Sequence, residues 1–182
     1  GTGDACDVIC DYPVWVKQIG TDRAEQVEGI VSDGNDNIYI IGTAERDLDG
    51  DDPAVHIGGL DFVLLKYDSD GNRQWVQHLG TTSNDYAKDL ALDPAGNIYV
   101  TGVVSGDLDG VGTGDPHEGS FDIAVMKVDG AGTVQWTRQL GTPAVDYGYG
   151  IDLDSDLNVY VGGYSYGDLD DEGPGENLGS ND

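Results

Sequence analysis

One stretch of this sequence occurs three times. Trp15-Val16-Lys17-Gln18-Ile19-Gly20-Thr21 returns as Trp75-Val76-Gln77-His78-Leu79-Gly80-Thr81 and as Trp136-Thr137-Arg138-Gln139-Leu140-Gly141-Thr142. A second block keeps step with it: Asn37-Ile38-Tyr39-Ile40-Ile41-Gly42, Asn97-Ile98-Tyr99-Val100-Thr101-Gly102 and Asn158-Val159-Tyr160-Val161-Gly162-Gly163. The period is 60 residues and then 61. Self-similarity at this length marks stacked supersecondary units, none of which can bury its apolar face alone.

Within one period, apolar residues alternate as in strands and are punctuated by turn chemistry. In the middle repeat a first strand runs near Tyr86 to Leu92 and turns at Asp93-Pro94-Ala95-Gly96; a second runs near Asn97 to Val104. A long loop from Ser105 to Ser120 precedes a third strand near Asp122 to Val128. The turn Asp129-Gly130-Ala131-Gly132 leads to a fourth near Gln135 to Leu140. Four antiparallel strands in about 60 residues make one blade of a β-propeller. The expected fold class is therefore all-β, with three blade units near 26–79, 86–140 and 147–182 plus 14–19, the last split between the termini; residues 1–13 form a separate N-terminal segment.

In such blades the repeated tryptophans supply apolar area between neighbours, and Tyr39, Tyr99 and Tyr160 offer rings with a polar tip. The glycine after each tyrosine strand allows a bulge or a close backbone approach. An aromatic platform for sugars is the functional alternative, and placement inside strands argues against it.

Composition agrees with strands and loops. Asp and Glu total 35 against 8 Lys and Arg, a net charge of −27, and only six of the acids are Glu. Aspartate disfavours helices and favours turns and caps. So large a negative charge repels phosphates and anionic lipid, which argues against nucleic acid and membrane-surface partners. It attracts cations, and a solvated, salt-adapted acidic surface and a set of calcium sites both fit it. No apolar run approaches the roughly 18 residues of a membrane span, so membrane insertion is not expected. No signal peptide is recognisable, and the chain reads as a mature form or a fragment.

Cys6 and Cys10 are the chain's two thiols. A disulfide closing one short loop, formed in an oxidising compartment, is one reading; two free thiols are the other. On a straight strand the pair would stand about 13 Å apart, so a bond requires the segment to turn.

The order Asp85, Tyr86, Leu90, Leu92, Asp93, Gly96, Asn97, Tyr99, Gly102, then Gly119, Asp122, Ile123, Lys127, Asp129, Gly132, Trp136 resembles the repeat of the bacterial seven-bladed β-propeller family abbreviated SBBP. The resemblance covers nearly the whole chain from Val14 onward. It implies propellers that are secreted or surface-exposed, parts of larger proteins, and without an established catalytic activity. The long Asp-rich loops exceed what such a repeat requires. The Asp-x-x-Gly-x-x-x-Trp stretches are also similar to quinoprotein propellers, where they stabilise blades; an oxidoreductase reading comes last.

The third repeat stops early. Gly179-Ser180-Asn181-Asp182 aligns with Gly119-Ser120-Phe121-Asp122, where a third strand should start. Residues from Cys6 to Trp15 would stand in for the missing strands imperfectly, since Val8-Ile9-Cys10 is short and Pro13 suits only an edge or a strand start. Three blades cannot close a ring, and unpaired strand edges invite association. The expected partners are therefore further copies, as a six-bladed ring of two chains or a head-to-tail polymer, or the remainder of a longer propeller chain.

Each long loop opens with Asp-Leu-Asp, and alternating carboxylates on a turning loop can converge on one cation. The candidate calcium ligands are Asp47, Asp49 and Asp51; Asp107, Asp109 and Asp115; and Asp168, Asp170 and Asp171. No repeat carries the full EF-hand loop. His56, His117 and the equivalent Asn177 fall on different blades and read as structural or solvent-facing; His78 has no counterpart. Glu25, Asp85 and Asp146 precede the first strands, and either ring a central channel or cap turns. No hydrolase triad, zinc-protease or P-loop motif is present. The reading is a non-catalytic, extracellular or cell-surface structural and adhesive module, with a multivalent lectin-like propeller as the alternative.

Overall fold

A computed structural model describes residues 15–46, 48, 58–108 and 119–169. They form ten strands: β1 (Glu25–Ser32), β2 (Ile38–Ala44), β3 (Asp61–Tyr67), β4 (Arg73–Leu79), β5 (Tyr86–Leu92), β6 (Ile98–Val104), β7 (Asp122–Val128), β8 (Val134–Leu140), β9 (Asp146–Leu153) and β10 (Val159–Ser165). The sheets are β1-β2-β3-β4, β5-β6-β7-β8 and β9-β10, every pairing antiparallel and between sequence neighbours. Two four-stranded blades and the first two strands of a third lie face to face.

The strand bounds follow the alternation closely. Asn97 falls outside β6 because its N–H goes to the Asp93 carboxylate (2.9 Å) and its carbonyl accepts from Asp93 N (3.0 Å), so it belongs to the turn. Five described turns share this design. The side chains of Asp33, Asp68, Asp93, Asp129 and Asp154 each accept from the backbone N–H two and four residues on. Three residues after each Asp the backbone turns left-handed. Gly96 and Gly132 take this position without steric penalty, and Asp36 (φ 61°) and Leu157 (φ 63°) take it despite their Cβ atoms.

The core lies between the sheets. Tyr39, Ile41, Phe62 and Leu64 of the first blade join Ala87, Leu90, Ile98, Val100 and Met126 of the second in one buried cluster. β6, covered on both sides, is buried at all seven positions. A bulge lies between Val27 and Gly29, between Ala87 and Asp89, and opposite Gly162-Gly163, at equivalent places in the first strands. Facing it, Gly42, Gly102 and Gly163 meet the carbonyls of Gln26, Tyr86 and Tyr147 so closely that a Cβ would collide with each. The glycines thus serve both the bulge and the close approach.

The tryptophans join blades. Trp75 Nε1–H donates to Gly130 O (3.3 Å) on the β7–β8 turn, and its ring lies against Gly132. Trp15 repeats the contact one period earlier, donating to Ser69 O (3.2 Å) with its ring over Gly71. Residues 15–20 therefore occupy, against the first blade, the place that β4 has against the second, without being paired as a strand. Residues 1–14, with Cys6 and Cys10, and residues 170–182 lie outside the described residues.

Candidate functional site

The long loops leave the second strand of each blade, and what anchors them is now visible. Thr81 N–H and Oγ1 both donate to Asp85, the hydroxyl at 3.0 Å, and the same oxygen accepts from Ser83 N (3.1 Å). Asp85 also takes the N–H of Ser105, the first loop residue (3.1 Å). Thr142 with Asp146 and Thr21 with Glu25 repeat the arrangement. Asp85 and Asp146 are fully buried, so these acids cap the Gly-Thr turns and tether loops, and the channel-ring reading does not hold for them. Burial pushes the Asp85 carboxyl above the usual range; the donors from Thr81 and Ser105 pull it down only in part.

A second anchor holds the loop's leucine. Leu108 N–H donates to Gln139 Oε1 (2.8 Å), while Gln139 Nε2 donates to Asp122 (2.7 Å) and to Gly106 O (3.1 Å). His78 takes the place of Gln139 in the first blade, accepting from Leu48 N at Nε2 (3.4 Å). His78 had no role in the sequence reading, although its alignment with Gln139 was the available signal. Both are buried at the penultimate position of a fourth strand, where a side-chain acceptor replaces the sheet for the loop leaving the second strand.

Of the candidate calcium ligands, Asp107 and Asp168 are described, exposed at the mouths of their loops, Asp107 beside the anchored Leu108. Asp47, Asp49, Asp51, Asp109, Asp115, Asp170 and Asp171 lie outside the described residues, as do His56, His117 and Asn177. Among the described residues no three acids, histidines or cysteines come together as a metal cluster.

The repeated turn acids are committed to structure. Asp33, Asp93 and Asp154 each accept from an Asn Nδ2 four residues on and from a Tyr hydroxyl six residues on, at 3.3, 3.3 and 3.0 Å for Tyr39, Tyr99 and Tyr160. At Asp33 and Asp93 burial raises the carboxyl, but the bonds from Asn37 and Asn97 and the turn N–H groups outweigh it and hold both below their ordinary value. At Asp154 the Asn158 amide leads in lowering it, and at Asp68 the Asn72 N–H does. Lys127 sits 4.9 Å from the Tyr99 ring centre and 3.8 Å from Asp93, tying β7 to that turn.

One cluster breaks the repeat. Tyr147, Tyr149, Tyr164 and Tyr166 stand where the other repeats carry Gln26 and Tyr86, Glu28 and Lys88, Thr43 and Val103, Glu45 and Ser105. Tyr147 stacks on Tyr164 at 5.1 Å and on Tyr149 at 5.8 Å, and Tyr166 meets Tyr164 edge-on at 5.4 Å. Burial of the Tyr164 phenol among these rings, helped by its bond with Tyr149, pushes its pKa up to about 12. The bulge at Tyr149 sets its ring alongside those of Tyr147 and Tyr164.

Four-stranded antiparallel sheets, stacked face to face and repeated in register with the sequence, define a β-propeller repeat protein. The SBBP beta-propeller repeat model matches residues 14–47, 74–108 and 135–170, together more than half of the chain, and the chain belongs to this family. Each matched segment runs from a tryptophan strand through the first two strands of the next blade, so the family unit straddles the blade junction. The third strands and most of each long loop lie outside it. An uncharacterized WD repeat-containing protein of Acanthamoeba polyphaga mimivirus is 26% identical over 183 residues, covering 83% of this chain and 13% of the relative. The regulatory protein FlaEY of Caulobacter vibrioides is 32% identical over 146 residues, covering 76% of this chain and 15% of that protein. The chain thus spans about a seventh of the length of these relatives, as befits a repeat module.

Proposed function

We propose that the chain is a non-catalytic structural and adhesive module of a secreted or cell-surface protein, with long loops that bind calcium and faces that join it to further blades. One observation carries the non-catalytic reading: among the described residues, the repeated acids of the strand turns and of the Gly-Thr turns, with the threonines of the latter, are engaged in turns and loop tethers. The calcium reading is supported by Asp107 and Asp168, exposed where the acidic loops leave the second strands, and by the charge of −27. Thermal melting in millimolar calcium and in chelator tests it: calcium should raise the midpoint, and substituting Asn at Asp107 and Asp168 should shrink the shift. An unchanged midpoint sinks the calcium reading.

The tyrosine cluster supports a second reading, a lectin-like module. Tyr149 and Tyr166 are 48% and 46% exposed, leaving aromatic faces and phenol groups open to a sugar ring. A glycan array read with the chain and with its Tyr149→Ala/Tyr166→Ala variant separates the two; binding lost in the variant would favour the lectin.

A further inference from the structure

The two outermost faces of the described blades are the two halves of an interface that the chain already makes twice. Between the first and second blades, Tyr39 (1% exposed) and Ile41 (0%) share a cluster with Ala87 (0%) and Leu90 (7%). Between the second and third, Tyr99 (3%) is covered and Ile151 is 6% exposed. The residues in step with these on the outer faces are open. Val27 and Ile30, equivalent to Ala87 and Leu90, are 69% and 65% exposed; Tyr160, equivalent to Tyr39 and Tyr99, is 57% exposed. Two large aliphatic side chains on one strand, placed where their equivalents are buried, mark a contact face.

The first blade's outer face also holds part of the arrangement that would cover it. Trp15 sits on Ser69 and Gly71 as Trp75 sits on Gly130 and Gly132, so the segment through Ile19 already occupies the place of a fourth strand. Beside it runs a groove of about 380 Å³ lined by Ile19, Val27, Ile40, Val63 and Leu65. Against the second blade the corresponding space is filled by the first blade's inner strands. β9 and β10 are inner strands of this kind, with their outer face uncovered.

We propose that β9 and β10 of one copy of this chain dock in the groove on the first blade of a second copy, beside that copy's Trp15–Ile19 segment. This rests on the reading of the chain as a joining module and names its surface and its partner. The repeat supplies the register: Tyr160 of one copy stands over the face carrying Val27 and Ile30 of the next. One polar contact fits the same register. Within the chain Lys88 pairs with Glu28 across the first junction (3.4 Å). In the same register Tyr149, which replaces Lys88 one repeat on, presents a phenol donor to Glu28 of the next copy, so no two like charges meet at that point. The contact is heterologous, and the rotation between successive copies decides between a closed ring and a filament.

Sedimentation of the 182-residue chain from low to high micromolar concentration tests the proposal. The wild type should exceed the mass of one chain and grow with concentration. Ile30→Asp spoils the groove side; Gly162→Arg spoils the strand side, where a Cβ meets nothing within 4 Å. Both sites are exposed in the single chain, so each variant should melt like the wild-type monomer and sediment as one chain. Mixed, they should form a two-chain species, because each retains the half the other has lost. A wild type that stays monomeric throughout overturns the proposal and leaves these faces to blades elsewhere in a longer polypeptide; variants that assemble like the wild type overturn it too. Melting with calcium on the same samples keeps failure to assemble distinct from failure to bind calcium.

Discussion

At the scale of single residues, the molecule is held by carboxylates that act as backbone templates. Asp93 satisfies two turn N–H groups, the Asn97 amide and the Tyr99 hydroxyl, with its side chain 1% exposed. Asp93→Asn places an amide N–H against donors and should cost about 1.5–3 kcal/mol in urea unfolding at neutral pH. The pH sign follows from the lowered carboxyls at Asp33, Asp68, Asp93 and Asp154. Their contribution is full above the unfolded carboxylate range, near about pH 4, and is lost as the pH falls through the lower folded values. The gap between wild type and Asp93→Asn should therefore close on acidification below about pH 4. Asp85, raised by burial, runs the opposite way and favours the folded state at low pH. A gap that stays constant from neutral to strongly acid pH would contradict the template role. Leu157 is a separate case: it holds φ 63° and is 43% exposed, so Leu157→Gly should relieve left-handed strain and stabilise by about 0.5–1 kcal/mol, read as a raised melting point.

At the scale of elements, the blade is four strands whose longest connection is fastened at its start. Gln139 and His78 do the same work on different loops, which makes the loop anchor exchangeable. His78→Gln should change stability by no more than about 0.5 kcal/mol, whereas His78→Ala should cost about 1 kcal/mol or more, because Leu48 N–H loses its side-chain acceptor. Comparative melts of the two variants distinguish an anchor from a filler. The strands themselves were legible from alternation and from the Asp-x-x-Gly-Asn turns, since period-two patterning and left-handed turn positions are local properties. The anchors were not legible, because Leu108 and Gln139 lie 31 residues apart and meet only when β6 and β8 are placed on either side of β7. For the same reason the acids at Glu25, Asp85 and Asp146 were open to two readings until their partners were in place.

At the scale of the whole molecule, 35 acids against 8 bases set a repulsion that folding must overcome. Raising salt from about 0.01 M to about 1 M shortens the screening length from about 30 Å to about 3 Å, and the melting temperature should climb with it in chelator, without calcium. A falling midpoint would mean that the ion pairs at Lys88–Glu28 and Lys127–Asp93 outweigh the acidic excess.

By itself the sequence determined the class of fold, the blade length and the family, because repetition, alternation and turn chemistry are written in neighbouring residues. Tertiary structure alone decided which repeated residues are scaffold. It showed that the glycines face bulges, that the acids of the strand turns and of the Gly-Thr turns are bonded, and that a tryptophan strand belongs to the face of the next blade. It also gathered Tyr147, Tyr149, Tyr164 and Tyr166 into one patch, and it left Val27, Ile30 and Tyr160 exposed where their equivalents are buried. Those facts depend on which faces meet across sheets, and that geometry exists only once the blades are stacked.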